Sequence, residues 1–269
     1  MGILLSVVLM ATSMAAPPSP SSSPNLAGIA HVAFRVTDLN KSREFYGKLG
    51  FEEAFGFSDP GKSPVSYLKV NDRQYIELYQ RANDSQSLGL MHVCYEAADI
   101  DSLREYYVQH GVETPPSKKA HAGNLLFVFH DPDNMVVEFT QYMPGSLHYE
   151  ARGKHLSEHR ISEHMLRPAL PVKDVGAERS FYTAKLGFED LGKPGRVRLR
   201  LPGDSGEEIE FTTSTPETKP RVVFRVADLK RAAKELESRG LSPRVEQDTV
   251  SVTDPDGALI VFSSGEQSH

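Results

Sequence analysis

Four stretches of this 269-residue chain repeat one skeleton, and that repetition constrains the fold more than any single motif does. "HVAFRVTDLNKSREFYGKLGF" (31–51) resembles "RPALPVKDVGAERSFYTAKLGF" (167–188). "HVCYEAADIDSLREYYVQHGV" (92–112) resembles "RVVFRVADLKRAAKELESRGL" (221–241) in the same way. Each begins as a strand. Asp38, Asp99, Asp174 and Asp228 then stand where a helix N-cap belongs. Gly50, Gly111, Gly187 and Gly240 stand where a helix ends. Short β-type runs follow every helix: "VSYLKV" and "YIELYQ", "LLFVFH" and "MVVEFTQ", "VRLRL" and "EIEFTT", "TVSVT" and "ALIVFSS". In the second and fourth sets the two runs are joined by the turn sequences "DPDN" and "DPDG". The chain therefore reads as an α+β protein of four βαβββ units, over 28–83, 90–143, 163–215 and 219–264. A single unit cannot bury both faces of its sheet, so the units are expected to pair into two domains, 27–145 and 163–265. The polar segment 146–162 reads as a linker. Pairing within one chain and pairing by exchange in a homodimer both satisfy the pattern.

The first 26 residues are different. An apolar run from Ile3 to about Ala16 gives way to Pro and Ser, and Ser13 and Ala15 supply small residues at a cleavage site. This predicts a secretory signal peptide with a spacer, hence export to the periplasm or medium, although no Lys or Arg precedes the apolar run. The formal net charge of −6 and the lack of any Lys/Arg block exclude a basic nucleic-acid-binding face. Cys94 is the single cysteine, so neither an intramolecular disulfide nor a cysteine-based zinc site is available.

The repeat makes its histidines interpretable. His31 opens the first strand of unit one, and Glu77 follows it by 46 residues in the last strand. His92 opens unit two, and Glu138 follows it by the same 46. If the units pair by pseudo-symmetry, the four side chains converge on one point between the sheets. Imidazoles and carboxylates in that combination suit one divalent transition metal, Fe, Mn, Zn, Ni or Co, with positions left for a substrate. Units three and four act as an internal control. They put Arg167, Arg221 and Val261 where His31, His92 and Glu138 stand, and keep only Glu210 for Glu77. The fold does not need the ligands, and Arg167 and Arg221 are expected to pair with Glu210 instead. Cys94 shares a strand face with His92, and Tyr75 and Tyr79 flank Glu77, so all three are pocket candidates. His121 is a further pocket candidate, expected to approach the site from its loop. Both Cys94 and the tyrosines also suit simple packing. His148, His155, His159 and His164 fit a solvated linker.

The residues in "IAHVAF", "YIELYQ", "LMHVCY" and "VVEFTQ", with "FYGKLGF" and "DPDN", resemble the vicinal oxygen chelate superfamily over nearly all of 28–264. That superfamily includes glyoxalase I, methylmalonyl-CoA epimerase, extradiol dioxygenases and the fosfomycin and bleomycin resistance proteins. The resemblance implies glyoxalase-like domains and a metal on His31, Glu77, His92 and Glu138. It also implies a small substrate bound through adjacent oxygens, with Glu77 or Glu138 moving a proton in lyase or isomerase chemistry. The extradiol branch uses two His and one Glu on Fe(II), usually in the second pair of units, and an extra acid–base His near the strand that carries Glu77 here. In this chain the ligands lie in the first pair and the nearest position is Tyr75. Resistance-type binding proteins tend to lack the metal set.

Overall fold

The computed structural model describes residues 24–192 and 196–265. The expected signal peptide, up to residue 23, lies outside the described residues. No helix among the described residues is long and apolar enough to cross a membrane.

Each repeat folds as one βαβββ unit. Unit one is β1 (Leu26–Val36), α1 (Leu39–Lys48), β2 (Glu52–Phe57), β3 (Val65–Lys69) and β4 (Tyr75–Gln80). Unit two is β5 (Gly89–Ala97), α2 (Ile100–Gln109), β6 (Lys118–Lys119), β7 (Leu125–His130) and β8 (Val136–Gln141). A single helical turn, α3 (Leu147–Glu150), lies in the linker. Unit three is β9 (His164–Val172), α4 (Val175–Ala184), β10 (Glu189–Asp190), β11 (Val197–Arg200) and β12 (Glu208–Thr213). Unit four is β13 (Arg221–Arg225), α5 (Leu229–Ser238), β14 (Arg244–Val245), β15 (Thr249–Thr253) and β16 (Leu259–Ser263). The four aspartates cap their helices, each carboxylate accepting from backbone N–H groups of the first turn. Gly50 closes α1 at φ +86°, and a Cβ there would stand 2.6 Å from the Arg160 backbone. Helix end and linker thus meet at a position only glycine fills.

Pairing takes a form the sequence did not specify. Two units do not stack as separate sheets. Their first strands join edge to edge, giving one eight-stranded sheet in the order β2-β3-β4-β1-β5-β8-β7-β6 and a second in the order β10-β11-β12-β9-β13-β16-β15-β14. β1 runs antiparallel to β5, and each unit closes with a parallel pair, β1 with β4 and β5 with β8. The junction pairs strand edges that would otherwise be open. It also puts the expected site on one face of one sheet rather than between two. The first sheet curls: Phe57 at the end of β2 stacks on His121 beyond β6, ring centroids 4.1 Å apart, although those strands are its two edges.

Strand alternation assigns the faces. On β1, Val32, Phe34 and Val36 point to the main core and His31 and Ala33 to the other face. The main core runs through both domains, where Phe51 meets Phe224 and Tyr95 meets Phe188. Burying side chains of this size contributes about 1.5–3 kcal/mol each. The Asp-Pro-Asp turns fasten the domains reciprocally. Asp254 accepts from the Tyr46 hydroxyl and Asp256 from the Thr37 backbone N–H. In the mirrored contact Asp133 accepts from Lys173 N, while its own N–H donates to Glu178.

Candidate metal centre

His31 and His92 reach one point because β1 and β5 pair antiparallel with Ala33 opposite His92 and His31 opposite Cys94. Glu77 sits beside Ala33 on β4, and Glu138 beside Cys94 on β8. The register is pseudo-symmetric, which is how equal spacing in sequence becomes convergence in space. β1 shifts register between Ile29 and His31, an irregularity of the kind that re-aims a side chain beside a site.

The four functional groups face one another closely. His31 Nε2 is 3.0 Å from His92 Nε2 and 3.1 Å from Glu77 Oε2. His92 Nε2 is 3.4 Å from Glu77 Oε2. Glu138 lies slightly farther out, 3.8 Å from His31 and 3.9 Å from His92. Donor atoms bound about 2.1 Å from one ion stand roughly 3.0 Å apart at right angles and roughly 3.4 Å apart at tetrahedral angles. The three spacings among His31, His92 and Glu77 therefore match the edges of a coordination polyhedron, with Glu138 about 0.4–0.5 Å beyond the tetrahedral edge, and two imidazoles with two carboxylates are a donor set for a divalent transition ion.

Electrostatics support the same arrangement. Burial works against ionisation of Glu77, but His31 and His92 outweigh it and hold the carboxyl well below its ordinary range. Burial depresses His92, and Glu77 and Glu138 overcome it, so its proton affinity is raised. Both directions express two His and two Glu sharing a dry site, which a cation would stabilise further. Tyr79 donates a hydrogen bond to Glu77 Oε1 at 2.7 Å and leaves Oε2 toward the imidazoles. Such an outer partner fixes a ligand's orientation.

The site opens into a cavity of about 590 Å³. His31, Glu77, Glu138 and Tyr79 line it, with Tyr67 and Val65 on the wall. His121 lines its mouth, stacked on Phe57 and 3.5 Å from Asp59. Tyr75 and Cys94 share the site's face but do not line the cavity. Both are fully buried: Tyr75 packs against Tyr67 and Tyr142, and Cys94 lies beneath His31 and Glu138. Cys94 has its Sγ within 4.8 Å of donor atoms of those two residues, yet burial pushes the thiol's pKa well up, so it is a protonated packing group.

One site residue was missed at the level of sequence. His148, expected in a solvated linker, is only 2% exposed and lines the cavity. Its ring is walled by Phe55, Tyr67, Tyr75 and Tyr142. Neither ring nitrogen has a hydrogen-bond partner in the protein. Burial, then the neighbouring His31, push its pKa down to about 3, so the ring is neutral. Long-range contacts put it there. Leu147 N donates to Ala122 O at 2.8 Å, and buried Lys69 donates to the carbonyls of Ala151 and Lys154. An apolar Leu147 and Tyr149 beside His148 are the only local hint that the segment docks.

In the second domain the matching positions behave as expected of a site without ligands. Arg221 donates to Glu210 at 2.6 Å and Arg167 to Glu210 at 3.3 Å. Val223 pairs with Val261 where Cys94 pairs with Glu138.

The fold is shared with known proteins. The chain is similar to an extradiol ring-cleaving dioxygenase from B. fuscum at 16% identity and TM-score 0.66, over 94% of this chain and 76% of that one. It is similar to the Mn(II)-bound glyoxalase from Novosphingobium aromaticivorans at 16% identity and TM-score 0.66, over 89% and 82%. It is similar to the 2,3-dioxygenase LapB from Pseudomonas sp. KL28 at 15% identity and TM-score 0.69, over 91% and 94%. Among curated proteins, YwkD of Bacillus subtilis (strain 168) is 28% identical over 122 residues, 42% of this chain and 95% of that protein. The structural likenesses at such identities show the fold. The family model for the Glyoxalase/Bleomycin resistance protein/Dioxygenase superfamily matches residues 28–139 and 163–262, both halves of the chain. With two sheets of paired βαβββ units, the chain belongs to that superfamily, the vicinal oxygen chelate proteins.

Proposed function

We propose that the first domain is a divalent-metal-dependent enzyme acting on a small molecule with two adjacent oxygens, and that it moves a proton at carbon in a lyase or isomerase reaction. The observation that carries this reading is the convergence of His31, Glu77, His92 and Glu138 at 3.0–3.9 Å beside a cavity. Fe, Mn, Zn, Ni and Co all suit the donor set. A bound ion of this kind supplies a Lewis acid for neighbouring substrate oxygens.

The chain's own groups divide the remaining work. Glu77 is held by Tyr79 and the two imidazoles, so it is the anchored carboxylate. Glu138 is the more loosely held and faces the cavity, which makes it the base that takes a proton from carbon and returns it. His148, neutral and unpartnered, both donates and accepts a hydrogen bond to the substrate. A cavity of about 590 Å³ fits a metabolite-sized molecule and no polymer. The reading also takes residues 1–26 as an export signal and spacer, so the substrate is met outside the cytoplasm.

His148 also favours a second reading, oxygen-dependent ring cleavage, because it supplies a cavity imidazole outside the ligand set. One experiment separates them. Metal-loaded protein is incubated in D₂O with a panel of α-hydroxy ketones and α-keto hemithioacetals, and separately with catechols under oxygen. Deuterium uptake at carbon, lost in Glu138→Gln, supports proton transfer. Oxygen consumption with catechols supports ring cleavage. Neither, with metal bound, overturns both.

A further inference from the structure

Asn124 lines the cavity of the first domain, yet it is only 3% exposed and half of its amide is unused. Its Nδ2 donates to Thr140 Oγ1, and the Thr140 hydroxyl directs its one proton to Leu125 O at 3.0 Å. That hydroxyl therefore has only acceptor capacity left for Asn124, which fixes the way the amide points. Oδ1 is turned away from Thr140 and has no hydrogen-bond partner among the described residues. A buried acceptor left open in this way calls for a reason.

Strand alternation puts the amide on the face of the metal centre. Asn124, Leu126 and Val128 all line the cavity, and Val128 pairs with Glu138 while Leu126 pairs with Thr140. Thr140 is thus the next residue on this face after Glu138, about 7 Å along β8. Tyr142 follows on the same side, packed with Tyr75 and Cys94, and His148 stacks on it. The open acceptor of Asn124 and the unpartnered ring of His148 therefore stand at the same end of the cavity.

The hairpin does not need this side chain. Ala120 N donates to Asn124 O at 2.7 Å and Gly123 N to Ala120 O at 3.0 Å, so the backbone closes the turn. The second domain shows the same scaffold without the four donors. There Ser251 pairs with Val261 as Val128 pairs with Glu138, so Gln247 and Ser263 hold the places of Asn124 and Thr140. Gln247 is exposed, and Ser263 Oγ accepts from Gly265 N at 3.4 Å instead. The buried, oriented amide accompanies the metal donors and is missing where they are missing.

We propose that the substrate carries a further hydroxyl beside its pair of adjacent oxygens, and that this hydroxyl donates to Asn124 Oδ1. Asn124 is then a specificity-determining residue and Thr140 its positioning residue. The inference rests on the metal-site reading of the first domain. An acceptor with no donor needs a donor from the ligand, and a cationic donor would be set beside a divalent ion, so a neutral hydroxyl is the match. A site built to hold a substrate hydroxyl discriminates against the analogue that lacks it, because the buried acceptor is then stranded.

The test is calorimetric titration of the full chain, loaded with Mn(II) and with its metal content measured, using glycerate and 2-hydroxybutanoate. Both acids offer a carboxylate and an adjacent hydroxyl to a metal, and they differ only in a terminal hydroxyl against a methyl group. Each enantiomer is titrated separately. Expected is a glycerate affinity at least about tenfold above that of 2-hydroxybutanoate for one enantiomer. The preference falls to within about twofold in Asn124→Leu, or in Asn124→Ala should circular dichroism show the first variant unfolded. It also falls in Thr140→Val and returns in Thr140→Ser, which restores the hydroxyl that orients the amide. A chain that takes up no metal removes the metal-site reading and this inference with it. A metal-loaded chain that binds both acids equally, binds neither, or keeps its preference without Asn124 overturns this inference alone.

Discussion

Glu178 offers a quantitative test of how the two domains are fastened. It lies on α4, four residues past its N-cap Asp174, and is fully buried. One oxygen accepts from Asp133 N at 2.8 Å, and the other has no partner. Burial, then the adjacent Asp131 carboxylate, raise its pKa to about 8. A carboxyl raised in the folded state binds more protons there than in the unfolded chain. Its contribution to stability is therefore complete below about pH 4.5 and is lost as pH rises through about 8. Each tenfold difference in proton affinity is worth ~1.4 kcal/mol, so the ionised form withdraws about 2–4 kcal/mol by pH 9. Glu178→Gln keeps an acceptor for Asp133 N and puts an amide donor near the unpartnered oxygen of Asp131. At roughly 2–4 °C per kcal/mol, the variant should melt about 5–10 °C above the parent at pH 9 and level with it at pH 5. Melting curves by circular dichroism at a fixed scan rate, across pH 5 to 9, measure this directly. A difference that does not change with pH, or a variant less stable at pH 9, would refute the assignment of a neutral Glu178 at the domain contact.

Other consequences are separable from that one. Tyr79→Phe removes the hydrogen bond that orients Glu77 and should lower metal affinity about 10-fold, read by competition with a chromogenic chelator; an unchanged affinity contradicts the positioning role. His148→Phe should leave stability unchanged or raise it by about 1 kcal/mol, because two unpartnered buried nitrogens are replaced by carbon in an aromatic cage. The same variant should lose at least about tenfold in turnover on whatever substrate the deuterium and oxygen assays reveal. Secreted protein should begin at Ala16, as N-terminal sequencing will show; a blocked or intact Met1 on exported protein contradicts cleavage after Ala15.

The unit pattern was legible because each unit carries its own local punctuation. The capping aspartates, the closing glycines and the Asp-Pro-Asp turns act within a few residues of themselves, so they could be read without tertiary knowledge. The convergence of His31, Glu77, His92 and Glu138 was legible for a different reason: a repeated sequence gives a repeated register, and equal spacing survives folding. What escaped depends on long-range placement. His148 looks like part of a polar linker until Lys69 and Ala122 hold that segment against the aromatic face of β3 and β4. The turn carboxylates read as local turn formers, yet Asp254 reaches Tyr46 across 208 positions. The edge-to-edge junction of β1 with β5 is equally silent, since an apolar strand reads the same whether its edge is free or paired. Tyr75 was placed on the correct face, but burial behind His148 removes it from the cavity, a depth that alternation alone does not encode.

The central claim is a single metal ion held by four side chains of the first domain. It is tested most directly by elemental analysis of tag-free protein, expressed without added nickel, beside Glu138→Ala and His31→Ala. The account predicts about one divalent transition ion per chain in the parent, a large loss in both variants, and unchanged secondary structure in all three. The identity of the ion then weighs proton transfer against ring cleavage, iron favouring the latter. A parent that takes up no transition metal, or one whose metal content is unaffected by either substitution, would contradict the account.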